Sequence, residues 1–86
     1  MITIKLLGGA KKAVGKSYLI LDKPFASITE ILKFLKQNAI EPKILDPHNI
    51  LIAINGADSA MLGGNDTIIK TGDTVTIVTV VHGGYN

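Results

Sequence analysis

The chain has 86 residues and no cysteine; 47% of its residues are hydrophobic, 19% are charged, and the formal net charge is +2. This length and hydrophobicity predict one folded domain rather than a disordered chain. The absence of cysteine excludes disulfides, a cysteine nucleophile and thiolate metal sites. All nine basic residues are scattered lysines, which argues against a nucleic-acid surface. No stretch has the pattern of a signal peptide or a membrane span, so we expect a cytoplasmic domain with no membrane partner.

Two strands are predicted at the start of the chain. Apolar residues alternate from Ile2 to Leu6, which is typical of a half-buried strand. Residues 17–21 are β-branched and aromatic enough for a second strand. Between them, Gly8-Gly9-Ala10 predicts a break, followed by a lysine-rich, solvated loop up to Lys16. We therefore expect a hairpin with a long loop.

The segment that begins at Ser27 has the clearest helix signal. Ser27 and Glu30 have the spacing of a capping box, in which each side chain bonds the backbone amide of the other residue. Asn38 is a candidate C-terminal cap, and Pro42 prevents continuation of the helix. Apolar residues recur between these ends at the spacing of one helical face: Ile28, Ile31, Leu32 and Leu35.

The second half of the chain predicts strands separated by turns. Residues 48–54 form a short, nearly continuous apolar run, typical of a central strand that is covered at least partly on both faces. Asn55-Gly56 is a strong turn signal, and Gly72-Asp73 turns the chain into a final strand over 74–81. Between these turns we expect at most one short strand, around residues 60–62.

This element order, β-β-α-β-(short β)-β, predicts an α+β fold. One helix can pack across a mixed sheet of four to five strands, and the last strand can pair with the first. We expect this domain to occupy residues 1–81, followed by a flexible tail over 82–86 that carries Gly83-Gly84. Two glycines in succession can pass through a slot too narrow for other residues. A merely disordered end is the alternative, because chain termini are commonly disordered.

Residues that could carry catalysis are few and poorly placed. Residues 9–17 approach the pattern of a phosphate-binding loop, but Ala10 replaces the required glycine, and a predicted strand follows where a helix is needed. His48 and His82 lack acidic residues at metal-ligand spacing, so no metal site is predicted. The aspartates near turns are expected to bond local backbone: Asp46, Asp58, Asp66 and Asp73. We therefore predict no enzyme active site in this chain.

Several stretches together resemble a known family: Asn55-Gly56, residues 62–67 and residues 70–75, followed by His82-Gly83-Gly84. They resemble the ubiquitin-like β-grasp sulfur carriers, which include the small subunit of molybdopterin synthase, the thiamine-pathway sulfur carrier, the ubiquitin-related modifier and the small archaeal modifier proteins. The resemblance covers essentially the whole chain, and its ending is most similar to the ubiquitin-related modifier branch. It implies a β-grasp fold and a place in tRNA thiolation or molybdenum-cofactor synthesis.

The resemblance also implies how the chain would act. The carboxylate of Gly84 would be adenylated by a ubiquitin-activating-type enzyme that uses ATP, and Gly83 would provide clearance. A persulfide would then give a thiocarboxylate, or a thiol would carry the acyl group towards a lysine amide. The chain would be a carrier rather than an enzyme and would bind no cofactor itself. Because Tyr85-Asn86 follow the second glycine, we expect a protease to remove them; the alternative is a copy that cannot be activated.

A docking surface is expected beside this tail. If Val75 and Ile77 face the helix, the residues that alternate with them face outward and form an apolar patch of the kind that marks an interface. A strand of threonine and valine is also simply good β sequence, which is the alternative explanation. The predicted partner-binding residues are Leu62, Val78, Val80 and His82.

Three classes of function stay open at this point. The first is a modifier or sulfur carrier that acts through its C-terminus on target proteins or a sulfur acceptor. The second is the dedicated small subunit of molybdopterin synthase. The third is a β-grasp interaction module without acyl chemistry.

Overall fold

The computed structural model of the chain describes residues 1–45, 49–58 and 66–79. Helix α1 spans Gly9–Val14, helix α2 spans Ile28–Gln37, and a short 3₁₀ helix spans Pro42–Ile44. The strands are β1 (Ile2–Gly8), β2 (Tyr18–Leu21), β3 (Phe25–Ser27), β4 (Ile50–Ile54), β5 (Ala57–Asp58), β6 (Ile68–Lys70) and β7 (Thr74–Thr79).

Within the described residues, five strands form one mixed sheet in the order β2-β1-β7-β4-β5. β1 and β7 are parallel neighbours, with Ile4 opposite Val75 and Leu6 opposite Ile77, and the other neighbouring pairs are antiparallel. β3 and β6 form a separate antiparallel pair. The predicted α+β fold is confirmed, and so is the pairing of the last strand with the first.

One hydrophobic core joins helix α2 to one face of the large sheet. The alternating residues of β1 and β7 are fully buried, as the period of two predicted. Along α2, the buried residues recur at helical spacing, while Lys33, Lys36 and Gln37 stay exposed. The side chains that form this core include Ile2, Ile4, Leu6, Leu19, Leu21, Ile28, Ile31, Leu35, Val75 and Ile77.

The predicted capping box at the start of α2 is confirmed. The amide of Glu30 donates to the Ser27 hydroxyl at 3.1 Å, and the amide of Ser27 donates to Glu30 Oε1 at 3.0 Å. That backbone hydrogen bond, together with the bond from the Lys23 ammonium, lowers the pKa of Glu30 below its ordinary value. Asn38 is the C-terminal cap, and its side chain donates to the carbonyl of Phe34 at 2.8 Å.

Residues 9–14 form helix α1, and the predicted solvated loop in this region is wrong. Ala10, Ala13 and Val14 are buried at the i, i+3, i+4 spacing, and this apolar face outweighs the glycine pair as a determinant of local structure. The helix precedes the Gly15-Lys16-Ser17 segment, and strand β2 follows it. This order is the reverse of a phosphate-binding loop, so the sequence-based rejection of that motif is confirmed.

The outer face of strand β4 is covered only in part, because Ala53 is half-buried but Leu51 is exposed. Leu51 in its first half is 59% exposed, whereas Ile54 at its end is buried. Apolar side chains on this strand therefore reach the outer face of the sheet, opposite α2. The short strands β3, β5 and β6 were not predicted, and the short strand predicted around residues 60–62 lies outside the described residues.

Candidate functional site at the end of the last strand

The tail that follows β7 was predicted to carry the chemistry, together with a docking surface beside it. Of the predicted site residues, the structure describes Val78. The others lie outside the described residues: Leu62, Val80, His82, Gly83, Gly84, Tyr85 and Asn86. The candidate site is therefore built from the end of β7 and the strands on either side of it.

Strand β7 ends in the middle of the sheet, at a tightly held residue. Thr79 is 3% exposed and lies opposite Gly8 of β1 and Ile50 of β4. Gly8 has φ +56°, and a Cβ added there would lie 3.2 Å from the carbonyl oxygen of Thr79. The close approach of the two backbones thus requires glycine at position 8. The last described residue of β7 is therefore held between its two neighbouring strands.

Three aliphatic side chains form a row across the outer face at this end of β7. Val78 is opposite Leu7 of β1 and opposite Leu51 of β4. Val78 is half-buried, while Leu7 is 40% and Leu51 is 59% exposed. We call Leu7, Val78 and Leu51 the β7-end patch. Because it is apolar, solvent-accessible and adjacent to the end of β7, it is a candidate partner surface.

The β7-end patch confirms that Val78 faces away from the helix, as the alternation with buried Val75 and Ile77 predicted. Leu7 and Leu51 were missed by the sequence reasoning. The sequence shows the alternation of side chains within the strands that contain Leu7 and Leu51. Their position beside Val78, however, depends on the pairing register of three strands. That register is long-range information which no local pattern carries.

A shallow depression of about 230 Å³ borders the patch on the outer face. This volume is below the size of typical small-molecule pockets. No side chain among its described lining residues is titratable, so none of them can act as a general acid or base. It suits the insertion of a partner's side chain. The described lining residues are Leu51, Ile52, Ala53, Gly56, Thr76 and Val78.

Two turns fix the opposite end of β7. Asn55 and Gly56 both have positive φ, +50° and +89°, the signature of a type I′ hairpin turn. The Asn55 side chain donates to Asp73 Oδ1 at 3.0 Å and accepts from the Thr74 amide at 2.9 Å. The Asp73 carboxylate also accepts from the Lys70 amide at 2.8 Å. The β4–β5 turn and the β6–β7 turn are therefore tied together where β7 begins.

The Asp73 carboxylate is stabilised in its charged form by these contacts. The backbone hydrogen bond from Lys70 is the largest cause that lowers the pKa of Asp73, and the side-chain bond from Asn55 adds to it. The prediction that Asp73 bonds local backbone is confirmed. Its role is to hold a turn rather than to transfer protons.

Over residues 1–45, 49–58 and 66–79, no group of three or more histidine, cysteine, aspartate or glutamate side chains could hold a metal ion. None of the helices in those ranges is long and apolar enough to cross a membrane.

The family model described as the ThiS family matches residues 4–84. The chain belongs to the ThiS family. This match covers nearly the whole chain and extends through Gly84. Relatives of this family are small ubiquitin-like β-grasp sulfur carriers and modifiers rather than catalysts, so the family predicted from the sequence is confirmed.

Two kinds of relative support this membership. The chain is similar to a ubiquitin-related modifier 1 homolog of Caenorhabditis elegans, with 30% identity over 95 aligned positions that cover 96% of this chain and 95% of the relative. The fold is similar to the solution structure of small archaeal modifier protein 1 from Methanosarcina acetivorans, with a TM-score of 0.76, 25% identity, and coverage of 96% and 95%. It is also similar to the solution structure of Urm1 from Trypanosoma brucei, with a TM-score of 0.74, 27% identity, and coverage of 96% and 94%.

Proposed function

We propose that this ThiS-family protein is a ubiquitin-like modifier or sulfur carrier that acts through the carboxylate of Gly84. After removal of Tyr85-Asn86, that carboxylate is adenylated and then converted to a thiocarboxylate or joined to a lysine. The observation that carries the proposal is the end of β7, where a buried Thr79 anchors the chain beside the exposed β7-end patch. The family match through residue 84 supports it.

The distance from the sheet to the reacting group suits this role. Residues 80–84 follow Thr79, and five residues can span at most about 17 Å when extended. A partner that rests on the β7-end patch can therefore receive Gly84 in a site well removed from the sheet. The two glycines would let the chain enter a narrow passage, because neither has a side chain.

The chemistry explains why a partner and a processing step are needed. A carboxylate is a poor electrophile until one of its oxygens becomes part of a good leaving group. Attack of the Gly84 carboxylate on the α-phosphorus of ATP releases pyrophosphate and creates an acyl adenylate, from which AMP can leave. While Tyr85 is attached, the Gly84 carboxyl group is held in a peptide bond and has no free oxygen for this attack. The ATP site and the sulfur donor belong to partner proteins.

Adenylation can be tested with a chain that ends at Gly84. Incubated with the cognate activating enzyme, ATP and labelled pyrophosphate, this chain is expected to support pyrophosphate exchange. The chain that ends at Asn86 is the matched control and is expected to support none without a protease. If the shortened, folded chain binds the enzyme but supports no exchange, the proposed acyl chemistry is refuted and an interaction module remains.

The fate of the adenylate separates the remaining alternatives. With a persulfide donor and a thiol present, the persulfide displaces AMP and the thiol then cleaves the resulting S–S bond, so a thiocarboxylate without lysine adducts identifies a sulfur carrier. Targets linked to Gly84 through isopeptide bonds identify a modifier. A stable complex with one larger subunit, which receives the sulfur within that complex, identifies the small subunit of a molybdopterin synthase. Intact-mass measurement of protein from its own organism tests whether residues 85–86 are removed.

The docking role of the β7-end patch predicts the effect of Val78→Asp. This change places a charge on the open outer face, so we expect the fold to remain and affinity for the activating enzyme to fall roughly tenfold or more, because a desolvated apolar contact is replaced by a carboxylate. Thr74→Asp is the matched control, since it adds the same charge to the same face at the other end of β7. Equal affinities for the two variants would show that the patch is not the docking surface.

A further inference from the structure

Strand β2 forms an open edge of the large sheet. Within the described residues it pairs with β1 alone, and the strand order places nothing on its other side. The Leu6 amide donates to the Ser17 carbonyl at 2.8 Å, so Ser17 turns its peptide groups towards β1. In an antiparallel pair, every second residue points its N–H and C=O groups at the partner strand. The residues between them point these groups away from the partner. The backbone amides and carbonyls of Tyr18 and Ile20 therefore face the open side.

This edge lacks the usual protection against strand addition. Sheet edges are commonly blocked by proline, bulges or charged side chains within the strand. The sequence of β2 is Tyr-Leu-Ile-Leu, and its Tyr18 and Ile20 side chains are 56% and 49% exposed on the outer face of the sheet. A second extended strand can hydrogen-bond here and cover both side chains.

We propose that the strand which docks on this edge is β2 of a second copy of this chain, in antiparallel orientation about Leu19. A two-fold axis at Leu19 places Tyr18 opposite Ile20 of the second copy, and Ile20 opposite Tyr18. Both positions present their peptide groups outward, so these two pairs can form four backbone hydrogen bonds. A tyrosine opposite a β-branched residue is a favourable cross-strand pair.

The charges that flank β2 are complementary in the same register. Lys16 of one copy is opposite Asp22 of the other, and this pair occurs twice because of the two-fold symmetry. Both side chains are exposed, and neither has an ion-pair partner in the part of the chain that the structure describes. A shift of the register by two residues separates these charges. In this register, the segment from Lys16 to Asp22 can therefore pair with a second copy of itself through backbone hydrogen bonds, apolar contacts and ion pairs.

The proposed dimer is weak and does not involve the strands that carry the β7-end patch. A four-residue edge buries less than the roughly 1,000 Å² expected of a stable interface, so association should be reversible and depend on concentration. The second copy joins beyond β2, whereas Leu7, Val78 and Leu51 of the β7-end patch lie on β1, β7 and β4, on the other side of β2. The inference is thus independent of the proposed carrier function.

Charge reversal provides a sharp test. Lys16→Glu places two acidic residues opposite each other in the dimer, and Asp22→Lys places two lysines opposite each other. By sedimentation velocity, each single variant is expected to have a dimer dissociation constant roughly tenfold higher than the unchanged chain, because two ion pairs become two like-charge pairs. An equimolar mixture of the two variants is expected to restore association, because both pairs are attractive in the heterodimer.

Two further measurements complete the test. Lys43→Glu, with the same change of charge at an exposed residue of the 3₁₀ helix, is the control and should leave association unchanged. In NMR spectra, the amides of Tyr18 and Ile20 should shift with protein concentration. A chain that stays monomeric at millimolar concentration, or variants whose mixture associates no better than either alone, would overturn the proposal and leave this edge to a strand of another protein.

Discussion

Asn55 links two turns that are 18 residues apart in the sequence. Its amide side chain contacts both Asp73 and the Thr74 amide, and its own backbone adopts a left-handed conformation. Asparagine tolerates that conformation better than most residues. Asn55 can therefore both form its own turn and bond the second turn through its side chain.

We expect Asn55→Ala to lower the free energy of unfolding by about 1–3 kcal/mol, through lost hydrogen bonds and backbone strain. Asn55→Gly is the matched variant, because it loses the same bonds but accepts the positive φ. Urea unfolding of both variants separates the two contributions. If the alanine and glycine variants are equally stable, backbone strain at this position is negligible.

Asp73 makes stability depend on pH in the acidic range. Its folded-state pKa lies below the ordinary value of 3.8, so the stabilisation is fully present above the unfolded-state pKa and is lost as the pH falls through the folded-state pKa. We expect Asp73→Asn to be less stable than the unchanged chain at neutral pH and the difference to shrink below about pH 4. Urea midpoints measured from neutral to acidic pH test this.

Glu30 titrates in the same range for a similar reason, but it is present in both chains and its contribution cancels in the comparison. A difference between the two chains that stays constant down to the most acidic pH would contradict the role given to Asp73.

At the scale of elements, the junction between β1 and α1 positions the end of β7. Gly8 adopts φ +56° and ψ −131°, and a side chain there would press on the Thr79 carbonyl. We expect Gly8→Ala to cost about 1–3 kcal/mol of stability and to displace the end of β7.

Gly56→Ala is the control for this substitution, because its φ is also positive but a Cβ there meets nothing within 4 Å. Chemical denaturation should show the larger loss for Gly8→Ala, and amide NMR shifts at Thr79 should change in that variant alone. Equal losses would mean that the contact with Thr79 adds nothing to the strain.

The elements differ in how far the sequence predicted them, and the reasons are physical. Helix α2 was predictable because its cap, its apolar face and its end are all local signals in ten residues. Helix α1 was missed because it is only six residues long and begins at a pair of glycines. Its three buried side chains are too few to show a helical period. Strands β3 and β6 have three residues each, too few to show a period.

The candidate site was predictable only in part for a related reason. The alternation in the last strand placed Val78 on the outer face, and this is confirmed. The partners of Val78 in the β7-end patch come from β1 and β4, far away in the sequence. The tie between Asn55 and Asp73 depends in the same way on which turns meet in space. Local patterns predict the face of a residue, whereas neighbours on that face depend on topology.

On the scale of the whole molecule, the sheet is assembled around its last strand. β7 lies between β1 and β4, so without it the sheet divides into the β2–β1 pair and the β4–β5 pair. The two most buried strands, β1 and β7, also come from opposite ends of the sequence. Contacts of such long sequence separation form late and cooperatively in folding.

The central place of β7 has a consequence for biosynthesis. During translation β7 emerges after the other described strands of the sheet, so the nascent chain cannot close its core while residues 74–79 are still enclosed by the ribosome. We expect protease to cut readily those chains that are stalled with β7 inside the ribosome. Chains stalled with a linker long enough to free β7 are expected to resist the protease. If both kinds of stalled chain resist the protease equally, the segments before β7 fold without it and this expectation is wrong. Under the proposed function, the carboxylate of Gly84 would therefore be offered for activation only by a molecule that has already finished folding.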